Sequence, residues 1–161
     1  MSDSLLVPLL VASTVTTGLV AGLFYAFTCA VMPGLRRAED VVFVATMTAI
    51  NAAIQNVVFA VAFVGALIFT GGALVAGVAA GSPTVPWVVA GLVLYVAALV
   101  ITGVRNVPLN NQIDAHAASP DVTATDARRA FERPWNRWNT ARTVLTTAAL
   151  GCLAGALLEV S

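Results

Sequence analysis

Hydrophobic positions in this chain form long unbroken blocks separated by short polar clusters. The first block runs from Leu5 to Met32 and stops at Pro33-Gly34, two residues that continue a helix poorly. A second block covers about 41–70, behind Glu39 and Asp40, acids suited to the positive end of a helix dipole. It exceeds the roughly 20 residues that cross a bilayer, so its first turns are expected to tilt or stand out of it. Asn51, Gln55 and Asn56 interrupt this block, and Asn51 and Gln55 share a helix face. Gly71-Gly72 is expected to loosen the helix ahead of Ser82-Pro-Thr-Val-Pro86. The third block, 87–105, opens on Trp87, an interfacial anchor. Pro108 is expected to break or kink the chain after it. Residues 106–133 read as a loop, within which 114–133 is the one water-like stretch. Thr125 or Asp126 is placed there to cap a short surface helix ending before Pro134. Pro134 suits a first helical position and opens the fourth block, 134–158.

Apolar runs of this length, in place of an amphipathic stripe, imply that the solvent is lipid. The predicted fold class is all-α, an integral membrane four-helix bundle in a single membrane domain over 1–161. Composition agrees: 10% of residues are charged, against about 25% in a soluble domain. All eight cations are arginines. Arg36 and Arg37 lie after the first block, and Arg105, Arg128, Arg129, Arg133, Arg137 and Arg142 lie between the third block and the start of the fourth. The 71–86 connection has no charge. The positive-inside rule then puts the arginine-bearing regions in the cytoplasm and both termini outside, in a multi-pass protein of the cell membrane. Asp3 stands where a signal peptide would be basic, and the first block is too long for a signal, so it reads as a retained helix. Zero net charge supplies no argument for nucleic acid. Cys29 and Cys152 lie in apolar blocks and are expected to be buried thiols. Gly18-x-x-x-Gly22 and Gly151-x-x-x-Gly155 have the small-residue spacing that lets membrane helices approach closely, which permits a homo-oligomer.

That orientation brings polar and aromatic groups of all four blocks to one depth. Trp135, Trp138, Asn139 and Arg142 share a face at the start of the fourth. Asn51 and Gln55 come from the second, Arg105, Asn106, Asn110 and Asn111 from the end of the third, and Tyr25 and Thr28 from the first. The outer half is nearly all Ala, Val, Leu and Gly. Polar groups avoid hydrocarbon, so these are expected to face a pocket open toward the cytoplasmic interface. One reading makes them interhelical glue, snorkelling arginines and an aromatic belt. The other makes them a ligand site for a hydrophobic small molecule: Asn51, Gln55, Asn106, Asn110, Trp135, Trp138 and Asn139 bind, and Arg142 meets a polar group. The blocks have no acid in their middles, which argues against ion-coupled transport. No protein-built metal site is assembled, no phosphate loop is present and no cofactor is expected. Tyr25 and His116, the one histidine, are candidate bases by elimination.

Met32-Pro-Gly-Leu35, Met47-x-x-Ile-Asn51, Asn106-Val-Pro-Leu-Asn110 and Trp135-x-x-Trp-Asn139-x-x-Arg142 together resemble the anthrone oxygenase-like family of small membrane proteins. The resemblance covers nearly the whole chain. It implies a four-helix membrane bundle, and for some members oxidation of anthrones to anthraquinones by molecular oxygen without a dedicated cofactor. It touches Asn51, Asn106, Pro108, Asn110, Trp135, Trp138, Asn139 and Arg142. Two functions follow as expectations. One is a membrane-embedded oxygenase acting on an aromatic, anthrone- or quinone-like molecule, with Arg142 or Arg105 stabilising an anion. The other is a non-catalytic bundle that holds a lipid or quinone or assists a partner complex.

Overall fold

A computed structural model describes residues 3–160. These fold into helices α1 (Asp3–Ala26), α2 (Met32–Leu35), α3 (Asp40–Ala53), α4 (Val57–Ala80), α5 (Val85–Ile101), α6 (Val107–Ala117) and α7 (Ala124–Glu159), and no strand occurs among them. Four continuous helical rods are long and apolar enough to cross a membrane: Leu5–Leu35, Val57–Ala80, Val85–Ala117 and Ala124–Glu159. Their main contacts run α1–α4–α5–α7 and back to α1, so the molecule is an integral membrane four-helix bundle.

Two of the expected breaks are continuous helix. Pro33 and Pro108 each follow a five-residue π-helical stretch, Phe27–Val31 and Thr102–Asn106. A proline ring clashes with the carbonyl four residues earlier. Here the Met32 N–H donates to the Phe27 carbonyl and the Val107 N–H to the Thr102 carbonyl, one residue further back than in an α-helix. The widened turn reaches each proline one residue ahead of it and carries the rod past. Most of the expected loop is therefore helix: α6 prolongs α5, and α7 begins ten residues before Pro134.

The second block, by contrast, is two helices. Asn56 separates them. Its side-chain oxygen accepts from the Phe59 N–H at 2.9 Å and caps α4, while its side-chain nitrogen donates to the Ala53 carbonyl at 2.7 Å at the end of α3. The span is thus α4, and Gly71-Gly72 lies inside it. Gly72 admits Leu9 of α1, whose methyl carbon is 3.3 Å from where a Cβ would stand. The helix ends at Gly81, whose φ of 61° is the left-handed conformation glycine adopts freely.

The polar start of α7 is docked. Thr123, not Thr125 or Asp126, caps it by accepting from the Asp126 N–H. Arg128 donates to the Arg36 and Ala38 carbonyls and to Asp40 and Glu132, and lies over the Phe43 ring. It satisfies carbonyls just beyond the end of α2 and pins α3 to α7. Every fourth residue of α7 from Ala127 to Asn139 is buried, and that continuous packed face carries the helix through Pro134. Beneath the latch, Phe43, Met47, Ile113, Phe131 and Trp135 form an apolar layer.

Within the bundle, only part of each small-residue motif meets a neighbouring helix. A Cβ placed on Gly22 or Gly151 would meet nothing within 4 Å, and one on Gly18 would make only an ordinary contact with Leu150. Gly155 accommodates the Trp87 ring. Cys29 is exposed and Cys152 half-buried, both unpaired, because each points from its helix toward the lipid-facing perimeter and away from the core.

Candidate functional site

A cavity of about 390 Å³ opens between the mid-bundle core and the α3–α6–α7 layer. The irregular points of the fold surround it. The first π-helical stretch contributes Phe27, the second Thr102, and the α3–α4 break Ile54 and Gln55. Widened turns of this kind recur at functional sites because they re-aim side chains that a regular helix would turn elsewhere. Phe24, Phe27, Phe59, Phe63 and Trp135 supply aromatic walls. Phe59 and Phe63 stack at 5.0 Å, and the Phe63 carbonyl accepts from the Tyr95 hydroxyl, a core group.

At the inner end lies Arg142, 6% exposed. Its guanidinium reaches back along α7. It donates to Asn139 Oδ1 at 2.8 Å and to Thr102 Oγ1 at 3.4 Å, and sits 4.1 Å from the Phe24 ring centre and 5.7 Å from that of Trp135. Its Nε has no hydrogen-bond partner, and among the described residues no carboxylate forms an ion pair with it. Asn139 is fully committed to holding it. The Asn139 amide nitrogen donates to the Phe24 carbonyl and the Thr28 hydroxyl across the interface with α1, which aims its oxygen at Arg142.

Toward the mouth a second network forms. Trp135 Nε1 donates to Asn110 Oδ1 at 2.7 Å. Asn51 Nδ2 donates to Asp114 Oδ1 at 3.1 Å and to the Asn110 carbonyl at 3.4 Å. Gln55 donates to the Asn51 carbonyl and fastens the frayed end of α3. The carboxamides thus join α3, α6 and α7 around the opening.

Of the ten residues expected from sequence to bind or catalyse, Asn51, Gln55, Asn110, Trp135, Asn139 and Arg142 line one cavity, and Asn111 lines it with them. The other four do not. Tyr25 is 58% exposed on the outer face of α1, because the helix turns it away from its buried neighbour Phe24. His116 is half-buried in the last turn of α6, beyond the cavity mouth. Asn106 is buried at the end of the second π-helical stretch, with both amide atoms unpartnered. Trp138 is half-buried and turned toward Arg105 and Arg137, whose guanidiniums lie 5.1 and 5.6 Å from its ring centre. Arg105 is exposed there and does not reach the cavity, so of the two candidate anion-stabilising arginines only Arg142 lines it.

Sequence reasoning misses Asp114 and the phenylalanines. The neighbours of Asp114 group it with the water-like stretch. A spacing of four from Asn110, on a helix prolonged past Pro108, is the signal that places both on one wall. Among the described residues no three His, Cys, Asp or Glu side chains gather closely enough to hold a metal ion.

Fold and site together define a class: a small membrane bundle with an aromatic pocket, an internal arginine and a carboxyl group at its mouth. The family model described as anthrone oxygenase matches residues 47–152, from the middle of α3 to the last third of α7, and the chain belongs to that family. All the polar residues of the cavity fall inside the match. No curated protein and no solved structure matches the chain.

Proposed function

We propose that the protein is a membrane-embedded oxygenase that binds a flat, hydrophobic, anthrone-like molecule in this cavity and oxidises it with molecular oxygen. The observation that carries the reading is Arg142. A buried cation without an acid partner is costly, and this one is held in place by Asn139 beside aromatic walls. A ligand oxygen that becomes anionic during reaction would relieve that cost, and its stabilisation there lowers the barrier to forming it. The cavity volume falls in the range of about 300–1,000 Å³ common for small-molecule sites.

The chemistry is balanced without a further reductant. An aromatic ketone with an acidic ring methylene loses a proton and becomes an enolate. The enolate carbon gives up an electron to dioxygen, and the radical pair closes a carbon–oxygen bond to form a peroxide. Loss of the second methylene proton with O–O cleavage leaves a second carbonyl and one water. The protein's part is to bind the ring, hold the negative charge at Arg142 and keep bulk water from the peroxide. The arginine-rich end, where the cavity opens, is proposed to face the cytoplasm, on the distribution of arginine alone.

The test uses the full chain in lipid nanodiscs supplied with anthrone. Oxygen consumption and anthraquinone absorbance should appear together, one dioxygen per quinone, and Arg142→Met should lower both by about 100-fold or more while the melting temperature changes little. Tight binding of anthrone with no oxygen uptake above the protein-free rate would instead identify a carrier.

A further inference from the structure

We infer that Asp114 is the proton acceptor of this site. The inference rests on the oxygenase reading above and extends it to a residue. Among the described residues the cavity is lined by two ionisable side chains, Asp114 and Arg142. No histidine, cysteine or tyrosine among the described residues reaches it, so a proton leaving the ligand has one side chain to go to.

The geometry suits that role. Asp114 Oδ1 is held by the Asn51 amide, itself buried and anchored on the Asn110 carbonyl. Asn110 is in turn fixed by the Trp135 indole. Among the described residues Oδ2 has no such partner, and it is free to accept. The carboxyl forms no ion pair among the described residues, so its charge is not spent on an internal cation. This contrasts with Asp40 and Glu132, which are both tied to Arg128.

The placement also orients the ligand. Arg142 is bonded to Thr102, whereas Asp114 lies twelve residues further along the same rod, roughly three turns nearer the mouth. Cation and base therefore lie toward opposite ends of the cavity. The fitting substrate carries its acidic C–H and its carbonyl on opposite edges of a fused ring system, so one proton transfer to Oδ2 sends charge through the ring to the oxygen beside Arg142. The C–H bond breaks, its electron pair enters the ring, and the proton rests on Asp114. That proton returns to the peroxide once oxygen has added. Asp114 then takes the second proton and releases it to the departing hydroxide, leaving water.

Anaerobic mixing separates this step from oxygen chemistry. Nanodisc-embedded wild-type protein is mixed with anthrone without oxygen, and the absorbance of the enolate is followed. Wild type should form the anion. Asp114→Asn should slow its appearance by about 100-fold or more, with binding of non-ionisable anthraquinone within about threefold of wild type. Asp114→Glu should restore part of the rate, which a merely structural aspartate would not require. Rapid anion formation in a folded Asp114→Asn variant that still binds anthraquinone would overturn the assignment and leave the oxygenase reading standing. A wild type that neither binds anthraquinone nor forms the anion removes the oxygenase reading itself, and this inference with it. If Asp114→Asn does not fold, Asp114→Ser decides: a folded variant without the carboxyl should slow anion formation to a similar extent, and an unchanged rate would overturn the role.

Discussion

The two ends of the bundle use polar side chains in opposite ways. Toward the termini, Ser13 and Thr14 donate to the Leu10 carbonyl, Thr16 to Ala12 and Thr70 to Ala66, each within its own helix. These residues add hydroxyls to a region that reads as almost wholly apolar, yet they cross no interface. At the arginine-rich end the bonds run between helices: Asn51 to Asp114, Trp135 to Asn110, Asn139 to Phe24 and Arg142 to Thr102. The terminal half also closes its interior with small residues. A Cβ at Gly91 would lie 3.4 Å from the Ala149 carbonyl oxygen. The other half leaves a cavity. Membrane helices gain little from apolar association in lipid, so close packing holds one end together and interhelical hydrogen bonds frame the other. Where those bonds stop short of satisfying a buried charge, as at Arg142, a site is the physical alternative to glue.

The sharpest break in this contrast comes at Arg142. Arg142→Met should cost about 100- to 1,000-fold in oxygenation, the scale of losing one preorganised donor to an oxyanion. Its thermal midpoint should change little, since losing a costly unpaired charge offsets the Asn139 Oδ1 left without its donor. A large fall in melting temperature would instead make Arg142 a structural element like the threonines at the other end. The reverse signature is expected of Gly91→Val. It should lower unfolding stability by about 1–3 kcal/mol through overpacking, with anthrone binding unchanged in the fraction that folds. Loss of binding at constant stability would show that the two ends are not independent.

Asn56→Ala tests the seam between the regions. Loss of its cap should cost about 1 kcal/mol, visible as faster amide exchange at Val57–Phe59 and a wider mouth beside Gln55. The smallest effect is acidification. The Thr125 hydroxyl and then the Arg128 guanidinium hold the Asp40 carboxyl below its ordinary value of 3.8. A depressed carboxyl contributes stability above its unfolded value and loses it as pH falls through the folded one. The α3–α7 latch should therefore loosen only below about pH 3.8, read as exchange in α3 while α4 and α5 stay protected. Loosening already at about pH 5 would mean that another group carries the latch.

Much of this was legible in the chain. Blocks longer than a bilayer imply four spans and their class, because lipid leaves a spanning backbone few alternatives to helix. Six of the ten expected site residues meet in one cavity, since helical spacing already places Trp135, Asn139 and Arg142 on one face. The misses have a common cause. Pro33, Pro108 and Pro134 read as breaks because a local rule judges a proline by its own turn, whereas widened turns and packed neighbours carry the rods on. Tyr25 is placed by depth, which does not tell which side of a helix faces inward, and Trp138 shares a helical face with Trp135 yet lies at its edge, against Arg105 and Arg137.

The amino-acid pattern alone determined that this protein lives in lipid, crosses it with four helices and gathers its arginines at one end, because hydrophobicity and charge act on each segment without reference to the others. Only the tertiary structure decided that Asn56 divides the second block, that Arg142 has no acid beside it among the described residues, and that Asp114 belongs to the cavity. Each of those facts depends on what a neighbouring helix presents at contact distance.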